Sequence, residues 1–327
     1  MDRLKTEVLF LNKEEVDRLI TYPETVAAVE RAFRSDGMGQ MRVPDKEIMP
    51  MGGENALFAM AGCLYDLGVA GVKWTNFYPQ NPKGYPPCWA HVLVLSHVED
   101  GRPYAILDAT SITNYRTAGG HAVAAAKYLA NPHPRTLGVM GCGAQGMAAV
   151  RSFSQQFDLE QIRVYSSPRS AERARPVLER ECPVPVHWAG TPEEMAEGCD
   201  IIVTATTSEH PLLMADMVPP GCLVAAMYSF HDVDPALSRL ADKWVLGHRA
   251  SDLGEIRQEK ELREQLDPAA VYAALGEVVC GQKPGREHRE ERIVYSHMGM
   301  ATLDIAVADA LVEKARAQGV GRMLRLT

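Results

Sequence analysis

Leu137-Gly138-Val139-Met140-Gly141-Cys142-Gly143-Ala144-Gln145-Gly146 joins an apolar run to a glycine turn. The run reads as a strand, and Met147, Val150 and Phe153 mark one face of a helix after the turn. G-x-G-x-x-G alone is weak evidence, because glycine is common. Between a strand and a helix it predicts a dinucleotide-binding turn. Gly141 permits the tight bend, Gly143 lets the backbone approach a pyrophosphate, and Gly146 allows close helix–strand packing, with the helix N-terminus toward the phosphates. Gly141, Gly143, Ala144, Gln145 and Gly146 are therefore cofactor-binding candidates. The next strand, Ile162-Arg163-Val164-Tyr165, ends about 20 residues on, where an NAD site carries Asp or Glu for the ribose 2′-OH. Here the tip reads Ser166-Ser167-Pro168-Arg169. With no carboxylate to repel a 2′-phosphate, two hydroxyls and a guanidinium favour NADP(H) over NAD(H). The plainer alternative is that Ser166, Ser167 and Arg169 only cap the following helix.

Apolar runs at 136–140, 162–165, 200–206, 222–227, 243–246 and 292–296 alternate with helical stretches. Strands spaced by helices predict βαβ units and a parallel sheet. Before residue 109 the texture differs. Asn12 caps a helical region over 12–34, with Pro23 starting its second helix. Short β-like runs at 57–61, 71–74, 91–96 and 104–108 then predict a largely antiparallel sheet, with Asp100-Gly101 a hairpin signal. An alanine-rich helix is expected over 117–130, a charged helix over 255–276, an exposed loop over 281–292 and a long helix over about 299–318.

Composition narrows the class. The 327 residues are 46% hydrophobic and 23% charged, which excludes a disordered chain or a fibre. A net charge of −8 excludes a general basic field for nucleic acid or anionic membrane. There is no run of about 20 apolar residues. Met1–Glu7 carries acidic residues and reads as no signal peptide. Seven dispersed cysteines without C-x-x-C, and ten dispersed histidines, predict a reduced, cytoplasmic protein with no metal site.

The chain resembles the ornithine cyclodeaminase/mu-crystallin family. The likeness is carried by Gly71-Val72-Lys73, Asn81-Pro82-x-Gly84-Tyr85-Pro86, Ala105-Ile106-Leu107-Asp108-Ala109, Ile112-Thr113-x-x-Arg116-Thr117-Ala118 and the 141–145 turn. It resumes at Gly299-Met300-Ala301-x-x-Asp304-Ile305-Ala306 and Gly319-Val320-Gly321. The resemblance implies an α/β protein with a Rossmann dinucleotide-binding domain (118–299) inserted into an α+β substrate-binding and dimerisation domain (1–117 and 300–327). It also implies a homodimer, and hydride exchange between a nicotinamide and the Cα of a small amino or imino acid.

By the same resemblance, Lys73 and Arg116 match the cations that hold the substrate carboxylate; the plainer readings are a solvated strand-end lysine and an Arg116–Asp108 ion pair. Lys46 stands where the family has an arginine, and Arg42 lies close enough to compensate. Met60 falls at a pocket methionine position or in the core. Ser229 stands where cyclodeaminases and alanine dehydrogenases carry an aspartate on the substrate amine. Asp232 or His231 could replace that acid from a remodelled loop, or be ordinary loop residues. Thr206 is a cofactor-side candidate. His297, before Gly299 near the nicotinamide, is a donor or a packing group. Trp89 and His91 shape the side-chain end of the pocket, and Asp304 is read as a helix-start cap or cofactor-side contact.

The missing aspartate matters because oxidising an amine needs proton traffic at nitrogen, whereas an iminium is already protonated. The expected activity is NADPH-dependent reduction of an imino acid. The alternatives are an ornithine cyclodeaminase or amino-acid dehydrogenase using Asp232, and a non-catalytic nucleotide-binding crystallin.

Overall fold

The computed structural model describes residues 6–81 and 89–327. The motif Gly84-Tyr85-Pro86 and the side chains of Trp89 and Ser229 lie outside this description. The chain divides into two compact units, Met1–Arg116 with Met300–Thr327, and Thr117–Gly299. No helix among the described residues is long and apolar enough to cross a membrane.

The first unit is built on an eight-stranded sheet. Its order is Arg322–Arg325, Glu7–Leu11, Pro103–Asp108, Trp89–His97, Val69–Phe77, Ala56–Leu64 and Met41–Arg42, with Glu47–Pro50 also paired to Ala56–Leu64. All neighbours are antiparallel except Glu7–Leu11 with Pro103–Asp108. The Asp100-Gly101 turn joins Trp89–His97 to Pro103–Asp108, closed by His97 N to Arg102 O and Gly101 N to His97 O. The helix Ala301–Gln318 lies across Ala56–Leu64 and Val69–Phe77. Side chains alternate across a strand, so Val69–Phe77 presents Lys73 and Thr75 to the covered face, and Val72 and Trp74 outward. Asn12 caps Lys13–Leu19 with a reciprocal capping box through Glu15.

The second unit is a doubly wound α/β fold. Eight strands run parallel in the order Val186–Trp188, Gln161–Tyr165, Thr136–Met140, Ile201–Thr204, Leu223–Phe230, Ile293–Ser296, Lys243–Leu246 and Val271–Ala274. The order reverses direction beside Thr136–Met140, which is where open α/β sheets bind ligands at the strand C-termini.

Two readings change. The expected helix over 117–130 is Ala122–Leu129, preceded by the helix Thr110–Arg116 and a π-helical turn Thr117–His121. Gly119-Gly120 weakens the local α-helix, and side chains of the Ala144–Gln156 helix take up backbone groups there. Gln145 Oε1 accepts from Ala118 N at 3.0 Å, and Ser152 Oγ donates to Gly119 O at 2.5 Å. The charged helix over 255–276 breaks into Arg249–Gln258, Lys260–Gln265 and the edge strand Val271–Ala274, because Lys243–Leu246 offers that strand a pairing partner. The segment 281–292 is the expected loop, mostly exposed, and it is anchored to its surroundings. Lys243 Nζ lies 2.8 Å from Glu287 and 3.0 Å from Glu291, and Arg286 donates to the carbonyls of Leu129 and Glu291.

Candidate active site

Strand register assembles the first group. Lys73 stands directly across from Met60, and Thr75 across from both Phe58 and His91, so these side chains share the covered face. Lys73 is only 2% exposed. Its Nζ donates to Asp304 Oδ2 at 3.0 Å, and Arg116 Nε lies 3.2 Å from the same oxygen. Thr113 Oγ1 donates to Asp304 Oδ1 at 2.8 Å. Asp304 is fully buried on the Ala301–Gln318 helix, and Arg116 ends the Thr110–Arg116 helix. Two buried cations thus share one carboxylate, a net charge of +1. Desolvated charge is costly until it is paired, so the cluster is suited to an anion.

The electrostatics agree. Burial pushes the Lys73 ammonium down to about 8, with Asp304 opposing and Arg116 and Lys46 adding to the shift. Burial alone would raise the Asp304 carboxyl, but Arg116, Lys73 and the bonds from Thr113 and Lys73 bring it to about 2. His91 forms a short hydrogen bond with Thr75. Burial, with the charges of Lys73 and Arg116, lowers its imidazole to about 3, so it stays neutral.

Lys46 is half-buried and close enough for Lys73 to feel its charge. Arg42 is not brought here. It pairs with Cys63, and Cys63 lies an odd number of residues from Met60, so Arg42 points to the opposite face and is exposed. Arg116 turns to Asp304 rather than Asp108, whose carboxylate accepts from Thr110 N and Oγ1 instead.

The second group surrounds the glycine turn. Gly141 has φ +89°, a region that disfavours a side chain, and a Cβ at Gly146 would collide with the Gly141 carbonyl. A Cβ at Gly143 would meet nothing within 4 Å. Gly143 caps the helix Ala144–Gln156 without a side-chain bond. The open approach and the helix N-terminus fit a pyrophosphate. Ser166 Oγ accepts from Cys142 N at 3.0 Å, tying the next strand tip to the turn. Ser167 and Arg169 are exposed beside it, and the first turn of their helix holds no acidic residue. Ala144 is exposed, and the Gln145 carbonyl is spent on Ala118.

Asp232 is buried, with its carboxylate against Thr204 and Thr206. Both carboxylate oxygens are engaged by donors within the second unit. His231 lies 2.9 Å from Glu259. His297 is 1% exposed, its Nδ1 3.0 Å from Asp252 Oδ1, with its ring edge-on to His121. That places it as a packed, anchored imidazole.

Sequence reasoning missed the roles of Asp304, Thr113 and Asp252. For Asp304 a signal existed. It is the one charged residue in the apolar stretch 301–308, and a carboxylate on a buried helix face needs a cationic partner. Asp252 lies within a polar helix and carries no comparable mark.

The family model for the ornithine cyclodeaminase/mu-crystallin family matches residues 6–319. An alanine dehydrogenase of Archaeoglobus fulgidus is 32% identical over 330 residues, covering 98% of each chain. The solved Δ1-pyrroline-2-carboxylate reductase of Thermococcus litoralis, in complex with NADH and L-proline, superposes with a TM-score of 0.86 at 26% identity, covering 96% of this chain and 99% of that one. An archaeal alanine dehydrogenase dimer with bound NAD gives a TM-score of 0.87 at 29% identity, covering 98% of this chain and all of that one.

Proposed function

The chain belongs to the ornithine cyclodeaminase/mu-crystallin family, and on that premise we propose that it is an NADPH-dependent reductase of a small 2-imino acid. The observation that carries the reading is the buried Lys73–Arg116 pair sharing the single carboxylate of Asp304. A substrate carboxylate supplies the missing negative charge. It is held by a guanidinium and an ammonium in fixed positions, which orients Cα. Asp304 and Thr113 hold the two cations in place, and neutral His91 adds no charge of its own.

In the second unit, the turn at Gly141, Gly143 and Gly146 suits the pyrophosphate of a dinucleotide, with Thr206 beside it. A bound reduced nicotinamide supplies the hydride for the imine carbon. Burial of Asp232 between Thr204 and Thr206 supports reduction over amine oxidation, since it leaves that residue poorly placed to exchange protons with substrate nitrogen. Two solved relatives of the same fold are named a Δ1-pyrroline-2-carboxylate reductase and an alanine dehydrogenase, which supports a small substrate.

The preference for NADPH rests on Ser167 and Arg169, exposed at a strand tip without a carboxylate. Arg169→Glu is expected to raise KM for NADPH about tenfold or more, the order of one charge-assisted hydrogen bond, and to leave KM for NADH nearly unchanged. Equal effects on both nucleotides would remove this assignment.

We propose a homodimer as well. Val72, Trp74 and Val92 are 37%, 46% and 47% exposed, and Trp74 pairs directly with Val92 on the outward sheet face. Large apolar side chains grouped in this way suit a second copy. The primary test follows loss of the reduced-nicotinamide absorbance with purified protein, NADPH and Δ1-piperideine-2-carboxylate, with NADH in parallel. Turnover is the expected result. No turnover on this or on Δ1-pyrroline-2-carboxylate would overturn imine reduction.

A further inference from the structure

Asp232 lies just past the strand Leu223–Phe230 and is 1% exposed. Among the described residues, every donor to its carboxylate comes from the end of the neighbouring strand Ile201–Thr204 or the segment after it. Thr204 Oγ1 donates to Oδ1, and Thr206 N and Oγ1 both donate to Oδ2, each at 2.9 Å. The Asp232 carbonyl accepts from Leu212 N at 3.0 Å and Leu213 N at 3.1 Å. Both ends of the segment 204–213 therefore close on one residue.

Thr206 passes the constraint onward. Its Oγ1 accepts from Ser208 N at 3.1 Å. Its Cγ2 lies 3.0 Å, and the Ala205 carbonyl oxygen 2.6 Å, from where a Cβ on Gly141 would stand. Ala205 N donates to Met140 O at 2.8 Å. The segment is thus packed directly against the residue that opens the glycine turn.

We propose that Asp232 is a positioning residue for the nucleotide. It holds Thr206 against the glycine turn and exchanges no proton with substrate. This inference rests on the nucleotide-binding reading above. Aspartate suits the task because it only accepts hydrogen bonds, and three donors converge on it; an asparagine would turn an N–H₂ toward one of them. A fully satisfied buried network keeps its members in one arrangement before ligand arrives.

The test uses the full chain with Asp232→Asn and Thr206→Val. Binding of NADPH is read from its own fluorescence, and kcat, both KM values and the pH profile from turnover. Each variant is expected to weaken NADPH binding about tenfold. The imino-acid KM and the shape of the pH profile are expected to stay as in the wild type, with the loss concentrated in nucleotide KM rather than in kcat. Undiminished NADPH affinity in Asp232→Asn overturns the proposal. A kcat loss of about 10²–10⁴ at saturating NADPH, with one limb of the pH profile gone, overturns it too, because that marks a general acid or base. If Asp232→Asn does not fold, Thr206→Val decides: weakened NADPH binding supports the proposal and unchanged binding overturns it. Failure of the wild-type chain to bind any nicotinamide nucleotide removes the nucleotide reading, and this inference with it. Binding by the wild type with no deficit in the variants removes this inference alone.

Discussion

Replacing Lys73 by methionine is expected to lower kcat/KM for the imino acid about a thousandfold, within the range for removing one partner of a buried charge pair, about 2–5 kcal/mol. The fold should survive. Methionine fills similar space, and the Arg116–Asp304 pair left behind is neutral overall. Removing a desolvated ammonium even relieves a burial cost. The variant therefore separates binding from stability. In the wild type, burial holds Lys73 down to about 8, and kcat/KM reports groups in the free protein. Carboxylate capture should fail as pH rises through about 8 and the ammonium is lost. Steady-state rates across this range, in wild type and Lys73→Met, check both statements. Retention of more than about a tenth of wild-type kcat/KM would show that Lys73 does not hold the substrate, and an alkaline limb surviving in the variant would assign that limb elsewhere.

Replacing Asp304 by asparagine is expected to destabilise the fold by about 3–5 kcal/mol, because two buried cations are left with no buried anion. Urea unfolding should show a lower midpoint with an unchanged slope. Adding Lys73→Met to Asp304→Asn should recover part of the loss by removing one of the orphaned charges.

The pH dependence has a definite sign for each group. The Asp304 carboxyl sits at about 2 in the fold, below its ordinary 3.8. Its stabilising contribution is complete above the ordinary value and is lost as pH falls through about 2. Lys73 is also depressed, but it is a base. Its burial cost is present in full below about 8 and is relieved as pH rises from there to its ordinary 10.5. The rise in stability between those two values should be missing from Lys73→Met. An Asp304→Asn protein with the wild-type midpoint would show that the shared carboxylate carries no such energy.

Much of this was readable in the residues. The turn at 141–146 was legible locally, because a strand, three spaced glycines and a helix N-terminus lie within one short stretch and each constrains the next. The parallel sheet followed from the spacing of apolar runs. Lys73 and Arg116 were marked by motif. What the chain order could not reveal was their shared partner. Asp304 lies 231 residues from Lys73, and only the packing of the C-terminal helix on the first sheet brings the two together. The same limit bears on Arg42 and Asp232. Nearness in sequence suggested Arg42 as a substitute cation, but strand alternation sends it to the other face. Asp232 looked like a displaced acid because it follows the right strand, yet its hydrogen bonds are decided by the loop of the adjacent strand. Local stretches carry turns, caps and strand starts because those depend on neighbours in the chain. Charge pairing and side-chain facing depend on register and packing, which exist only once distant segments have met.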